Sequence, residues 1–167
     1  MSEITVLKKP AEEMDDLDQK FDLVYLDPPF GLQRDFNMVE KDGREKGFSD
    51  SWKSFDDYID WYAEILNKCY SRLGDHGWIY AHNNFIGNAL VLSKVNSTVR
   101  DSFYTNISWK RSGPKNNIKN GWGNIVDSIM VLQKGKPYFE VEYSELDPVY
   151  ADNVSYTHLT LQTICSV

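Results

Sequence analysis

The stretch FDLVYLDPPF, residues 21–30, decides the fold of this 167-residue chain. Its first six residues form a nearly continuous apolar and β-favouring run, which is typical of a strand that is buried on both faces in a parallel sheet. Pro28 and Pro29 end the strand, because neither residue has an N–H to donate to a neighbouring strand. We therefore expect a strand of a parallel sheet with Asp27 at its carboxyl end.

A helix and a second strand follow in the order that parallel pairing requires. Ser54, with Asp57 three residues further on, has the pattern of a capping box at the start of a helix. Apolar residues then recur on one face with a period of 3.6 residues: Phe55, Tyr58, Ile59, Tyr62, Ile65, Leu66, Cys69, Tyr70 and Leu73. Gly74 predicts the end of this helix. Gly77–His82 follows as a strand, and the helical crossover makes it pair parallel with the first strand.

The remaining segments predict one more helix and three more strands. They are a helix over 86–99, a strand over 103–109, and strands over 125–132 and 138–143 that are joined in an antiparallel hairpin at 134–137. Residues 31–52 are polar, contain three glycines and show no sustained periodicity, which predicts a long mobile loop after Phe30. The fold class is therefore α/β, with a mixed sheet ending in an antiparallel hairpin.

Composition limits the classes of protein to which the chain can belong. The net charge of −7 argues against a protein whose whole surface binds nucleic acid, because phosphate neutralisation needs clustered basic residues. Such residues cluster only between 108 and 136, as Lys110, Arg111, Lys115, Lys119, Lys134 and Lys136. The two cysteines have neither disulfide nor metal-site spacing, and no apolar run approaches the roughly 20 residues of a membrane span. We expect a cytoplasmic protein without a metal site.

The tetrapeptide Asp27, Pro28, Pro29 and Phe30 is where we expect chemistry, because ligands of open α/β sheets bind outside the carboxyl ends of the strands. The exocyclic amine of adenine or cytosine is a poor nucleophile, since its lone pair is delocalised into the ring. Two acceptors, the Asp27 carboxylate and the Pro28 carbonyl, could bind both amine protons and aim that lone pair at a methyl group. Phe30 could stack on a base swung out of the duplex. The alternative is that Asp-Pro-Pro only forms a rigid turn.

The stretch FDLVYLDPPFG resembles the catalytic motif of DNA adenine-N6 and cytosine-N4 methyltransferases, whose aspartate form is more often tied to adenine. The resemblance continues through YSRLGDHGWIYAH, NISWKRSG and GNIVDSIMVLQKG, in the order that the family uses. It implies a partial Rossmann-like fold, S-adenosylmethionine as the methyl donor and double-stranded DNA as the substrate, within restriction-modification or a similar system. It also implies that Asp27, Pro28, Pro29 and Phe30 are the catalytic residues.

The same resemblance implies roles for residues of the later motifs. Trp109, Lys110 and Arg111 map onto motifs that wall the base pocket. With Lys115 and Lys119 they form the predicted nucleic-acid-binding set, and a solvated basic loop is the alternative reading of the charged ones.

Two further residues near the predicted sheet edge have open roles. His82 ends the second strand on the edge where Asp27 lies, and we predict that these two residues contact the cofactor. A histidine that is merely satisfied at a strand end is the alternative for His82. Asp127 follows Val126 where the family often has a histidine-acid pair, and a solvated strand residue is its alternative.

The glycine-rich turn with which the family binds S-adenosylmethionine does not occur in this sequence. The nearest match, Gly121-Trp122-Gly123, follows polar residues and predicts a loop. In the permuted, or beta, subgroup of the family, the catalytic half precedes the cofactor half. We therefore expect residues 1–153 to be the N-terminal catalytic part of a longer methylase. Residues 154–167 resemble translated sequencing-adapter read-through, which predicts a non-native or disordered tail; an edge strand at 158–164 is the alternative.

The sequence as a whole predicts transfer of a methyl group from S-adenosylmethionine to adenine N6 of a flipped DNA base. Cytosine N4 is the second candidate. An RNA-base methyltransferase is the third, although such enzymes usually have the cofactor turn ahead of Asp-Pro-Pro-Phe. For this polypeptide alone we expect an inactive fragment, because the cofactor turn is missing. A homodimer of the full-length form stays open.

Overall fold

The structure, a computed structural model, describes residues 6–16, 19–39, 45–112, 120–121 and 123–140. The chain divides into two units, residues 1–137 and 138–167. All helices and strands that the structure describes lie in the first unit. In the second unit, residues 138–140 form neither a helix nor a strand.

Ten elements follow one another along the described residues of the first unit. They are a 3-10 helix at Ala11–Asp16, strand β1 at Phe21–Leu26, β2 at Arg34–Val39, β3 at Glu45–Asp50, helix α1 at Phe55–Arg72, β4 at Leu73–Asn83, α2 at Phe85–Lys94, α3 at Ser97–Asp101, β5 at Phe103–Lys110 and β6 at Val126–Gln133. None of the described helices is both long and apolar enough to cross a membrane.

Four of the strands form one mixed sheet in the order β1, β4, β6, β5. β1 pairs with β4 in parallel, with Val24 opposite Ile79, while β6 runs antiparallel to both β4 and β5. The α/β class and the parallel pairing across the first helix are therefore confirmed. As a result, the carboxyl ends of β1, β4 and β5 and the amino end of β6 lie side by side at one end of the sheet. This end, where the strands terminate, is called here the site edge.

Helix α1 supplies much of the core that holds this sheet. Its buried face consists of Tyr58, Ile59, Tyr62, Ala63, Ile65, Leu66 and Cys69. These side chains pack in one cluster with sheet residues such as Ile79 and Leu132 and with Val91 of α2. The apolar residues whose period predicted α1 therefore form the face that the helix buries. Burial of this apolar surface is what stabilises the helix.

The segment that follows Phe30 differs from the prediction. Residues 31–52 do not form one long loop, because β2 and β3 pair antiparallel, with Arg34 opposite Asp50 and Val39 opposite Glu45. Such a pair is held by backbone hydrogen bonds, which any non-proline residue can make. The two strands are short and mix polar with apolar residues, so they leave no sustained periodic signal in the sequence.

The helix predicted over 86–99 is two helices. α2 ends at Lys94, and Asn96 caps α3 by accepting a hydrogen bond from the Val99 N–H at 2.9 Å. The backbone N–H of Asn96 is bound in turn by the side chain of Asn67 in α1. Asparagine offers the backbone this alternative to helix continuation, which explains the break.

Two predictions about the strands of this sheet also differ from the structure. β1 is not buried on both faces, since Leu23 is 41% and Tyr25 is 53% exposed. It is an edge strand among the described residues. The hairpin partner predicted for β6 also differs, because β6 pairs antiparallel with the preceding strand β5. Of the residues predicted as its partner, 138–140 form no strand, and 141–143 lie outside the described residues.

The cap of α1 yields a first prediction. Ser54 Oγ accepts a hydrogen bond from the Asp57 N–H at 3.1 Å and donates one to the Asp57 carboxylate at 2.6 Å. Ser54→Ala removes both bonds, and we expect it to lower the free energy of unfolding by about 1 kcal/mol, as measured by urea denaturation.

A matched control for this prediction lies within α2. Ser93 is also exposed, but its hydroxyl binds the Leu90 carbonyl of its own helix and caps nothing. Ser93→Ala should change the free energy of unfolding by less than about 0.5 kcal/mol. Equal losses in the two variants would contradict the capping role of Ser54.

Candidate active site

The site edge brings together residues that are far apart in the sequence. Asp27 directly follows β1, and His82 lies near the end of the neighbouring strand β4. On β6, Asp127 is paired with Trp109 of β5. The predicted placement of His82 on the edge where Asp27 lies is confirmed, because parallel strands end at the same edge.

Asp27 is the exposed member of this group. Its side chain is 59% exposed, and its Oδ1 lies 3.1 Å from His82 Nδ1. The hydroxyl of Tyr25 lies 3.2 Å from the same nitrogen. Burial, together with the charge of Asp27, raises the pKa of Tyr25, so this hydroxyl keeps its proton and can donate it in a hydrogen bond.

The other side of His82 faces a buried ion pair. His82 Nε2 lies 3.6 Å from Asp127 Oδ2, and Arg111 Nε lies 3.2 Å from the same oxygen. The Arg111 guanidinium also donates to the Asn124 carbonyl at 3.0 Å. Asp127 is thus a buried residue whose charge is offset by Arg111, and the alternative of a solvated strand residue is wrong.

Aromatic rings surround His82 on the site edge. The Phe30 ring meets the imidazole edge to face with centroids 5.2 Å apart, and the Trp109 ring lies 5.3 Å away at a tilted angle. Trp109 is 50% exposed, whereas a larger part of Phe30 is buried. The edge therefore offers an aromatic surface next to an exposed carboxylate, an arrangement that suits a flat ring carrying hydrogen-bond donors.

The turn after Phe30 is fixed by a buried carboxylate. Asp50 is fully buried and accepts hydrogen bonds from the Gly31 N–H at 3.0 Å, the Leu32 N–H at 2.8 Å and the Trp52 indole at 3.1 Å. These three donors offset the cost of burying its charge.

Glycine is required at position 31 for two reasons. Its φ is +66°, and a Cβ there would lie 2.6 Å from the ring of Tyr58. Asn84 holds the neighbouring residue, because its amide donates to the Phe30 carbonyl at 3.1 Å while its oxygen caps α2 by accepting from the Gly87 N–H. The backbone that carries Phe30 is thus tied to β3 and to the start of α2.

The other predicted site residues are distributed as follows. Pro28 and Pro29 lie half-buried in the turn beside Asp27, and Lys110 is exposed at the end of β5. Lys115 and Lys119 lie outside the described residues. Among the described residues, no three His, Cys, Asp or Glu side chains are grouped so that they could hold a metal ion.

Sequence reasoning missed two residues of this region. Tyr25 was included only as part of an apolar strand, and Asp50 only as part of a polar loop; neither carries a signal of its own. Their contacts cross long stretches of sequence, so local patterns cannot reveal them. Asn84 differs, because the polar run His82-Asn83-Asn84 at the end of a strand already predicts that these residues could line the site.

Parts of this chain are similar to known proteins. Residues 21–163 match the model of a DNA methylase family, the N6/N4 family. The Type II methyltransferase M.EcaI of Enterobacter cloacae is 28% identical over 123 residues, which cover 72% of this chain and 26% of that protein, so the chain spans about a quarter of that relative's length. A crystal structure of an M1.HpyAVI-SAM complex aligns with 82% of this chain and 56% of its own at 12% identity and a TM-score of 0.44.

The support of the turn by Asp50 gives a second prediction. Asp50→Ala leaves two backbone N–H groups and one indole N–H without their acceptor, so we expect the free energy of unfolding to fall by about 2 kcal/mol or more. Asp101→Ala, at an exposed carboxylate of α3, is the control and should cost less than about 0.5 kcal/mol. Urea denaturation of both variants measures this, and equal stabilities would contradict the assigned role.

Proposed function

The chain belongs to the N6/N4 DNA methylase family, and on that premise we propose that it is the catalytic part of an enzyme that methylates adenine N6 in double-stranded DNA, with S-adenosylmethionine as the methyl donor. The observation that carries the proposal is the Asp27 carboxylate, which is exposed at the carboxyl end of β1 beside an aromatic surface. A group that must bind an incoming base has to be reachable in this way.

In this proposal Asp27 and Pro28 divide the task of binding the amino group. One oxygen of the Asp27 carboxylate accepts a hydrogen bond from the first amine proton, and the Pro28 carbonyl accepts one from the second. Two acceptors favour a pyramidal nitrogen, whose lone pair is then available for attack. S-adenosylmethionine, when bound, supplies the electrophilic methyl group. The proline ring fixes φ, which restricts the directions in which the acceptor carbonyl can point.

The aromatic surface would hold the base. The target nitrogen cannot be reached while the base is stacked in the duplex, so the nucleotide must be swung out. Phe30 would stack on the base, and the half-exposed Trp109 would form a second wall of the pocket. Both rings already contact His82, which keeps them close to Asp27.

Contacts with the DNA backbone are proposed for Lys110, Arg111, Lys115 and Lys119. Lys110 is exposed at the site edge, which supports its role. The Arg111 guanidinium is engaged by Asp127 and by the Asn124 carbonyl, so its charge also serves to offset a buried carboxylate. With a net charge of −7, binding of DNA has to rely on such a local cluster.

The fit of this chain to S-adenosylmethionine is only partial. The sequence has no glycine-rich turn after a buried strand, and both ring nitrogens of His82 already face carboxylates. The predicted contact of His82 with the cofactor therefore gains no support. Asp27 remains exposed enough to contact the cofactor, as predicted for that residue. We propose that most of the cofactor site belongs to another part of a longer protein.

β1, an edge strand among the described residues, is our candidate for the place where that part packs. It lines an apolar groove of about 300 Å³ together with Met14, Cys69 and Arg72. The length of M.EcaI, of which the match covers 26%, also supports a longer enzyme. We also propose residues 1–153 as the catalytic part and 154–167 as a non-native or disordered tail, although the family match extends to residue 163; the tail lies outside the described residues.

Finer properties rest on the same premise. The aspartate form of the motif favours adenine over cytosine N4. We propose a cytoplasmic enzyme of a restriction-modification or similar system, because such an enzyme has to meet cellular DNA. A homodimer of the full-length form stays a prediction.

The role of Asp27 gives a third prediction. In the longer protein, Asp27→Ala should lower methyl transfer to unmethylated DNA by about 100-fold or more, because one of two acceptors in the transition state is lost. Radiolabelled methyl transfer measures the rate, and mass spectrometry of the digested nucleosides separates N6-methyladenine from N4-methylcytosine.

The control for Asp27 is a carboxylate at the opposite end of the sheet. Asp75 is exposed near the start of β4, so Asp75→Ala removes the same charge far from the site edge and should leave the rate within about 2-fold. If Asp27→Ala kept most of its rate while remaining folded, the assigned role of Asp27 would be wrong. Mainly N4-methylcytosine as the product would overturn the choice of adenine alone.

The partial fit to the cofactor gives a fourth prediction. The purified 167-residue chain, incubated with radiolabelled S-adenosylmethionine and unmethylated DNA, should transfer methyl groups at the background rate. Turnover well above background, abolished by Asp27→Ala, would contradict the need for a further cofactor-binding part. The same assay with the longer protein serves as the positive control.

A further inference from the structure

We propose that His82 is a positioning residue, which binds the Asp27 carboxylate through Nδ1, while its Nε2 faces Asp127 at 3.6 Å without a hydrogen bond. The inference rests on the proposed function, because it explains how Asp27 is kept in place to accept the amino group. It replaces the predicted contact between His82 and the cofactor.

The three residues form a row from the interior to the surface. Asp127 is 5% and His82 is 8% exposed, whereas the Asp27 side chain is 59% exposed. An exposed carboxylate rotates freely about its last bond unless a donor fixes it. A buried ring with neighbours on both sides can supply such a donor, because its own orientation is restricted by packing.

The contacts of His82 give each ring nitrogen a carboxylate. Nδ1 lies 3.1 Å from Asp27 Oδ1, and Nε2 lies 3.6 Å from Asp127 Oδ2. When Nδ1 carries its proton, it can donate to Oδ1, and Oδ2 of Asp27 is left to accept the amine. One oxygen then fixes the carboxylate and the other binds the substrate.

Tyr25 offers the competing arrangement. Its hydroxyl lies 3.2 Å from Nδ1 and could donate to that nitrogen, but only if Nδ1 carries no proton. Asp27 would then lose its donor and face a lone pair instead. The protonation of Nδ1 therefore decides whether Asp27 is fixed or released.

Two substitutions distinguish a donor from a space-filling ring. His82→Asn keeps an amide N–H at the position of Nδ1, facing Asp27, whereas His82→Gln places one at the position of Nε2, facing Asp127. In the longer protein we expect single-turnover methyl transfer to fall by about 10- to 100-fold in the glutamine variant and by clearly less in the asparagine variant. DNA affinity should stay within about 2-fold in both.

The outcomes separate the inference from the function on which it rests. Equal rates in the two variants, or a faster glutamine variant, would mean that His82 only fills space, and the inference would be wrong. If Asp27→Ala still abolished transfer in that case, the proposed function would stand. If Asp27→Ala kept its rate, the proposed function itself would fail.

A second measurement does not depend on activity or on the folding of His82 variants. Nitrogen-15 NMR of the 167-residue chain reports which imidazole nitrogens carry protons, and substitution of His76 and of His158 identifies the signals of His82. We expect a protonated Nδ1, and a change in its shift in Asp27→Ala. An Nδ1 without a proton would overturn the inference and assign that nitrogen to Tyr25 as an acceptor.

Discussion

Parallel pairing of β1 with β4 is the constraint on which the site depends. Leu26 lies opposite Ala81, so the residues that follow, Asp27 and His82, emerge side by side. If β1 and β4 were antiparallel, Asp27 and His82 would lie at opposite ends of the sheet. The crossover through α1 enforces the parallel direction, and the buried face of α1 holds the crossover on the sheet. The chemistry of the site edge therefore rests on apolar contacts that lie away from it.

The elements with a clear apolar pattern could be predicted from the sequence, and those without one could not. α1 and β4 have clear periods, whereas β2 and β3 are held by backbone pairing and the break at Asn96 by a side-chain cap. Asp27 and His82 could be placed on one edge from topology alone. The burial of Asp127 could not, because it depends on Arg111, which only the register of β5 against β6 brings near.

Each acidic residue of the site region is stabilised in a different way. Asp50 is bound by backbone and indole N–H groups, Asp127 by a guanidinium, and Asp27 by solvent and one imidazole nitrogen. Burial of a charge is costly unless partners replace the lost water. Asp50 and Asp127 are therefore fixed parts of the fold, while the exposed carboxylate of Asp27 can still bind a ligand.

The exposed edge of β1 also has a consequence for handling the protein. An edge strand presents a row of backbone donors and acceptors, and here that row borders the exposed side chains of Leu23 and Tyr25. Such an edge is a template for pairing with another copy of itself, a route to aggregation that natural edge strands often block with lysine or proline. The sequence FDLVYL has neither. Wherever no other part of the protein covers this strand, chains should consequently self-associate as their concentration rises.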